Sequence, residues 1–269
     1  MLVFSSPDEI YFIENSLAMN DELRECGVSN NMSTQNIDGA GLDPDNISLL
    51  NWNIYKGQGD DWQNDLSAFA KTHELMVIQE AMLDRELSDL LEEHDFNWII
   101  NTAFHLNEIP AGVMNMATSQ AVDSCGFKVK EPIIRVPKSA LISYYAIQGT
   151  EQQLLVANIH GVNFTLGMGA YRNQLAKLYD VIAQHEGPMI VAGDFNSWSK
   201  SRIDEVQQMV ALLSLTALEY EVNNKTHIFG NAIDHVFYRQ LEMLSNEVLE
   251  VSSSDHNPIS ANFRYTEVF

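Results

Sequence analysis

Basic residues are scarce: 15 Lys and Arg stand against 37 Asp and Glu in 269 residues, a formal charge of −22. Such a chain has no general attraction for nucleic acid or an anionic membrane, so any phosphate it handles must be met by a local site or a bound cation. Cysteine is nearly absent. Cys26 and Cys125 are read as too few for a disulfide framework, which fits a reducing compartment and makes the cytoplasm the expected location. No apolar run approaches a membrane span, and no basic segment leads into an apolar one at the N-terminus. Neither integral membrane association nor a signal peptide is expected. The sequence offers no aromatic-and-basic stripe for single strands. It offers no amphipathic basic helix and no exposed apolar wedge for a lipid surface either.

What is present suits a globular chain. Hydrophobic residues make up 45%, and the length allows one large domain or two small ones, with a substantial core. Residues 1–46 carry nine acidic residues against Arg24 alone, and "GVSNNMSTQNIDGAGLDPDN" is rich in turn formers. This stretch reads as an acidic extension, disordered or loosely docked, in which "DEIYFIENSLA" could add a turn or two of helix. The domain proper is expected over 47–269. There, short apolar runs alternate with amphipathic segments. Strands are expected at "ISLLNWN", "LMVIQEA", "FNWIINT", "AGVMNMAT", "GFKVKEPIIRV", "ALISYYAI", "QLLVANIHGV", "PMIVAGDF", "AIDHVFYR" and "NPISANFRY". Helices are expected at "DWQNDLSAFAKTH", "DRELSDLLEEH", "AYRNQLAKLYDVIAQH" and "SRIDEVQQMVALLS". The tally gives an α+β class with packed, mainly antiparallel sheets.

Polar residues recur where apolar runs stop. "LNWNIYKG" ends on Asn53 with Tyr55 and Lys56 beyond, and "VIQEA" carries Gln79 and Glu80. "ANIHGVNF" carries His160 and Asn163, and "GDFNSW" carries Asp194 and Asn196 after Gly193. "AIDHVF" holds Asp234, and "SSSDHNPI" holds Asp255 and His256. Each alone reads equally well as a turn or cap. Together they point to convergence, because partly buried carboxylates need partners. Glu, Asp, Asn and His at several strand ends suit one metal-and-phosphate site.

This ordered series resembles the endonuclease/exonuclease/phosphatase superfamily, and within it the bacterial YafD-like proteins. "GDFN" and "SDHNP" are the specific signals, and the likeness runs from about Leu49 to Phe263. The resemblance implies a four-layer α/β/β/α sandwich of the deoxyribonuclease type. It implies a hydrolase that attacks a phosphodiester with water, using Mg²⁺ or Mn²⁺ in its place. By matching position, Asn53, Glu80 and Asp255 would hold the metal. His160, Asp194, Asn196, Asp234 and His256 would be catalytic, with Asp234 paired to His256. Asn163 would donate to a substrate phosphate, and Arg135 and Lys138 of "RVPKSA" could contact it, or form a solvated basic face. The substrate would be a phosphoester, nucleic acid among the candidates, handled by a monomer. A phospholipid or small-molecule phosphoesterase is the alternative, and a non-catalytic scaffold on the same fold a second one.

Overall fold

The structure, a computed structural model, describes residues 4–5, 23–26, 41–94 and 96–267. Two short strands come first, β1 (Phe4–Ser5) and β2 (Arg24–Glu25). The body opens with β3 (Ile47–Asn53), α1 (Trp62–Ala70), β4 (Leu75–Met82) and α2 (Arg85–Glu93). It continues through β5 (Asn97–Leu106), β6 (Ile109–Ala117), β7 (Asp123–Lys130) and β8 (Pro137–Ala146). Then come β9 (Gln153–His160), α3 (Gly169–Ile182), β10 (Met189–Asp194) and α4 (Lys200–Leu212). The chain closes with β11 (Thr216–Ala217), β12 (His227–Ile228), β13 (Asn231–Ala232), β14 (Asp234–Arg239), β15 (Leu241–Val248) and β16 (Ile259–Tyr265).

The long strands form two sheets, ordered β1-β5-β6-β4-β3-β16-β15 and β11-β14-β10-β9-β8-β7-β2. Most neighbours are antiparallel, but each sheet has a parallel pair at its centre, β3 with β4 and β9 with β10. Helices α1 and α3 make those crossovers, as parallel neighbours require. Alternation along the strands builds the layers. In β3, Ile47 and Leu49 enter a cluster between the sheets with Leu75, Val156, Ile190 and Val236. Leu50 and Trp52 face the other way, onto Trp62 and Leu66 of α1 and Leu87 and Leu91 of α2. On the second sheet, Leu155 and Val191 meet Tyr171, Leu175 and Leu178 of α3 and Val206 and Met209 of α4. Each fully buried aliphatic side chain stabilises the fold by about 1.5–3 kcal/mol. Helix, sheet, sheet, helix: the expected sandwich is the observed one.

Three expectations need correction. Cys26 and Cys125 form a disulfide, Cα to Cα 5.0 Å, joining positions 99 apart in sequence. The pairing removes the argument from unpaired cysteines for a reducing, cytoplasmic location. The strand expected over 126–136 ends at Lys130, and 131–136 is a turn. Glu131 N–H donates to the Val136 carbonyl and Arg135 N–H to the Glu131 carbonyl, with Arg135 at φ +61°. Pro132 has no N–H to continue a ladder, and Ile133 and Ile134 end exposed. The hairpin strand β15, unread in the sequence, pairs with β16 at a sheet edge. Of the N-terminal stretch, "DEIYFIENSLA" and most other residues lie outside those described. The described parts join the sheets: Leu23 and Leu42 are buried, β1 pairs β5, β2 pairs β7, and Leu42 bridges Ile147.

Candidate active site

The alternation that fills the core also aims the polar groups. Ile190 and Ala192 of β10 point between the sheets, so Asp194 points the same way. The same count carries Leu154 and Val156 of β9 to His160, and Ile47 and Leu49 of β3 to Asn53. Asp234, first residue of β14, lies directly across from Asp194 in the ladder. Asn53 Nδ2 donates to Asp194 Oδ2 at 3.2 Å, so the carboxyl ends of both parallel pairs meet at one edge of the sandwich. Glu80 is the exception to the count, since alternation would send it to the helix layer. A register shift between Ile78 and Ala81, with Glu80 at φ +54°, turns its side chain to the cluster. Bulges commonly re-aim a side chain in this way. Gly193, at φ +145°, makes room for backbone: a Cβ there would lie 2.0 Å from the Ile159 carbonyl oxygen of β9.

Asp194 is the centre of the cluster. Its Oδ1 accepts from the Asn196 N–H at 2.8 Å, and Oδ2 accepts from Asn196 Nδ2 at 3.2 Å. Asn196, at φ +49°, also donates from Nδ2 to the Gly161 carbonyl at 3.0 Å. Burial, then the neighbouring Asp234 charge, pushes the Asp194 carboxyl up to about 6, against the pull of His256 and Asn196. Burial alone would lower His256, yet the Asp234 charge and hydrogen bond outweigh it and raise it to about 10. Nδ1 of His256 lies 2.8 Å from Asp234 Oδ2 and donates to it. His160 is held well below its ordinary value, first by burial and then by Lys138 and Lys56. The Lys138 ammonium donates to His160 Nε2 at 2.7 Å, which fixes the ring as neutral with its proton on Nδ1. Its 3.5 Å approach to Asp194 Oδ2 is therefore a dipolar contact rather than an ion pair.

Of the residues expected at a site, Asn53, Glu80, Lys138, His160, Asp194, Asn196, Asp234 and His256 form one cluster. Ligand atoms of Asp194, Asp234 and His256 all lie within 4.8 Å of one another, a group able to hold a metal only when the His256 ring is neutral. Glu80 Oε1 sits 3.8 Å from both Lys138 Nζ and His160 Nε2. Asp255 is at the rim, Oδ1 3.9 Å from His256 Nε2, with its side chain 57% exposed. Asn163 is placed beside the cluster: Oδ1 accepts from Trp198 Nε1 at 2.8 Å, leaving its NH₂ as the donor end. Arg135 is not brought in; it is exposed on the 131–136 turn. Lys56 is closer than its sequence signal suggested and pairs with Glu80 Oε2.

Two supports were missed in the sequence. Arg202 of α4 is buried, stacked 4.4 Å from the ring centres of both Tyr171 and Trp198. Its Nη1 donates to the Val162 and Asn196 carbonyls at 2.8 Å, and its Nη2 to the Asn163 carbonyl at 2.8 Å and Thr165 Oγ1 at 3.1 Å. Below the charged cluster lies a layer of buried amides. Gln79 Nε2 donates to Asn51 Oδ1 at 3.0 Å and Asn158 Oδ1 at 2.8 Å, and Asn158 Nδ2 to Asn115 Oδ1 at 3.0 Å. Strand alternation marked these positions as core; only the facing sheet turns them into a network.

A four-layer sandwich with carboxylates, amides and imidazoles gathered at the ends of both central strand pairs defines the deoxyribonuclease-like phosphoesterase fold. The Endonuclease/Exonuclease/phosphatase family matches residues 50–256, and the chain belongs to that family, whose members hydrolyse phosphoester bonds and generally use divalent metals. Among its relatives is the UPF0294 protein YE0917 of Yersinia enterocolitica, 38% identical over 218 residues, covering 81% of this chain and 84% of that one. Solved structures of similar fold include an endonuclease/exonuclease/phosphatase of Bacteroides vulgatus, TM-score 0.66 at 18% identity, covering 82% of this chain and 99% of that one. Another is the human Nocturnin catalytic domain, TM-score 0.64 at 19% identity, covering 85% of this chain and 97% of that one.

Proposed function

We propose that the chain is a divalent-cation-dependent phosphodiesterase acting by in-line attack of water. What carries the reading is buried Asp194, held by the amides of Asn53 and Asn196 and facing the His256–Asp234 pair. A cation suits the donor chemistry: Glu80 and Asn53 offer hard oxygens, and Asp234 Oδ1 is a buried carboxylate oxygen without a partner. Glu80 would be its main ligand, with Asn53 and Asp255 completing the set. When bound, Mg²⁺, or Mn²⁺ in its place, supplies positive charge against the phosphoryl oxygens.

The chain's own groups do the rest. Asp194, with its carboxyl raised to about 6, remains mainly ionised above neutral pH and orients the attacking water or takes its proton. His256 stays protonated through the neutral range, with Asp234 fixing Nδ1 and leaving Nε2 for the phosphate. The NH₂ of Asn163 and the Lys138 ammonium offer donors and positive potential around the phosphoryl oxygens, and neutral His160 holds the ammonium in place through Nε2. Every group comes from one chain, so the site is complete in a monomer.

The test is hydrolysis of bis-p-nitrophenyl phosphate, plasmid DNA and RNA with Mg²⁺ or Mn²⁺. Turnover should disappear with a chelator and in Asp194→Asn, and Glu80→Gln should weaken Mg²⁺ binding in calorimetry with the fold intact. No turnover of any diester with either metal, together with no metal binding, would make the protein a non-catalytic scaffold.

A further inference from the structure

An apolar cavity of about 220 Å³ opens directly off the charged cluster. Lys56, Glu80, Lys138 and His160 line its polar end. Phe104, Ala111, Ile134, Val136, Pro137 and Phe164 form most of the remaining wall, and none of the roles above uses them. The wall continues into an exposed rim on two loops: Ile133 is 51% exposed, Ile134 47%, Phe164 52% and Leu166 85%. These loops are tied together from beneath. The fully buried Glu131 accepts at Oε1 from the Asn163 N–H at 2.5 Å and the Phe164 N–H at 3.4 Å, and Arg202 holds Thr165. The apolar side chains thus stand outward on a braced mount. Exposed apolar residues gathered in one place mark an interaction surface. This is the apolar wedge that the sequence did not reveal.

We infer that the substrate is a lipid-type phosphodiester at an uncharged lipid surface, its alkyl or acyl group lodged in this cavity while the rim rests on the surface. The inference builds on the phosphodiesterase reading above. Cavity and carboxylate share one opening, so a phosphate held near Glu80 places its substituent against Phe104, Ile134 and Phe164. The volume takes about seven groups of roughly 30 Å³, the share of one water molecule, which suits a short length of chain. The charge of −22 opposes an anionic surface and favours a zwitterionic one.

A soluble series of alkyl p-nitrophenyl phosphodiesters, methyl to octyl, assayed with Mn²⁺ tests the cavity. kcat/KM should rise about fourfold per methylene, mainly through KM, and level off as the cavity fills. Ile134→Asp and Phe164→Asp should flatten the series while leaving the methyl ester unchanged. In the second arm, phosphatidylcholine vesicles should be hydrolysed faster than phosphatidylglycerol vesicles. Ile133→Asp with Leu166→Asp should slow the vesicle reaction at least tenfold with soluble turnover intact. A flat series with the methyl ester turned over would overturn the cavity's role. So would a thymidine p-nitrophenyl ester outrunning the hexyl ester, since the wall would then be a base-stacking site. Vesicle rates indifferent to the rim variants, or faster on phosphatidylglycerol, would overturn the uncharged lipid surface. Failure of every ester, methyl included, would instead count against the phosphodiesterase reading and leave nothing for the cavity to select.

Discussion

Arg202→Met removes the guanidinium that ties the 162–165 segment to the Asn196 carbonyl. The wild-type side chain makes four hydrogen bonds at 2.8–3.1 Å, three to backbone carbonyls of Val162, Asn163 and Asn196. Methionine has comparable reach and fills the slot between Tyr171 and Trp198, so cavity formation is small and lost polar contacts dominate. Each carbonyl left buried without a donor costs about 1–3 kcal/mol. Against this stands the desolvation that a neutral side chain no longer incurs. The balance falls near 3–5 kcal/mol, the scale for removing one member of a buried charged set. At about 2–4 °C per kcal/mol for a chain of this size, the melting point should drop by roughly 6–20 °C. Urea and thermal unfolding measure it, with the urea slope unchanged. Turnover should also fall in the folded variant, because Asn163 and Asn196 lose their common tether, and Arg202→Lys should recover only part of either loss. A melting point within 2 °C of wild type would refute the bracing role.

Four further expectations follow from other parts of the molecule. Reducing the Cys26–Cys125 bond, or replacing both residues by serine, should cost about 2–4 kcal/mol in urea unfolding, the usual range for closing a long loop. Deleting residues 1–40 should cost more, since Leu23 leaves the core as well; unchanged unfolding would show that residues 23–26 contribute nothing. His73, its ring between the Phe69 carbonyl and Ser260 Oγ, is held below 6.5 first by burial. Its folded pKa lies below the unfolded one, so its contribution is complete above 6.5 and declines as pH falls through that value towards the lower folded pKa. His73→Gln should therefore show a shallower loss of melting temperature between pH 6.5 and 5 than wild type, and parallel curves would disprove the linkage. Asp194→Asn and His256→Ala should each lower kcat by a hundredfold or more, and the double variant by far less than the product. Full activity in either single variant would remove that residue from the site.

The strands that carry the site were legible because they are buried on both faces. "ISLLNWN" and "PMIVAGD" are short apolar runs with abrupt polar ends, and the structure ends β3 at Asn53 and β10 at Asp194. Other features depend on information no local window holds. Strand β15 reads "LEMLSNEV" and is half exposed along its length, because an edge strand packs on one side only. "PIIRV" carries the β-branched residues of a strand, yet Pro132 and the positive φ of Arg135 make it a turn. Arg202 looks like an ordinary helix-surface charge; its carbonyl partners come from two separate loops. Cys26 and Cys125 face each other only after β2 docks beside β7. Glu80 was legible as a strand end, but its direction was not, since the bulge reverses what alternation alone would give.

The amide layer has a mechanical consequence. Hydrophobic attraction by itself is non-directional and prescribes no particular offset between two sheets. Hydrogen bonds do prescribe one. Gln79 of the first sheet reaches Asn158 of the second, and Asn158 reaches back to the Ile78 and Met114 carbonyls and to Asn115. A slip of even one residue, about 3.3 Å, would break every one of these bonds. The layer therefore works as a dowel, fixing the offset between the slabs one residue beneath Glu80 on β4 and two beneath His160 on β9. Alignment of carboxylate and imidazole at the mouth is set in the dry interior, away from the loops that meet solvent.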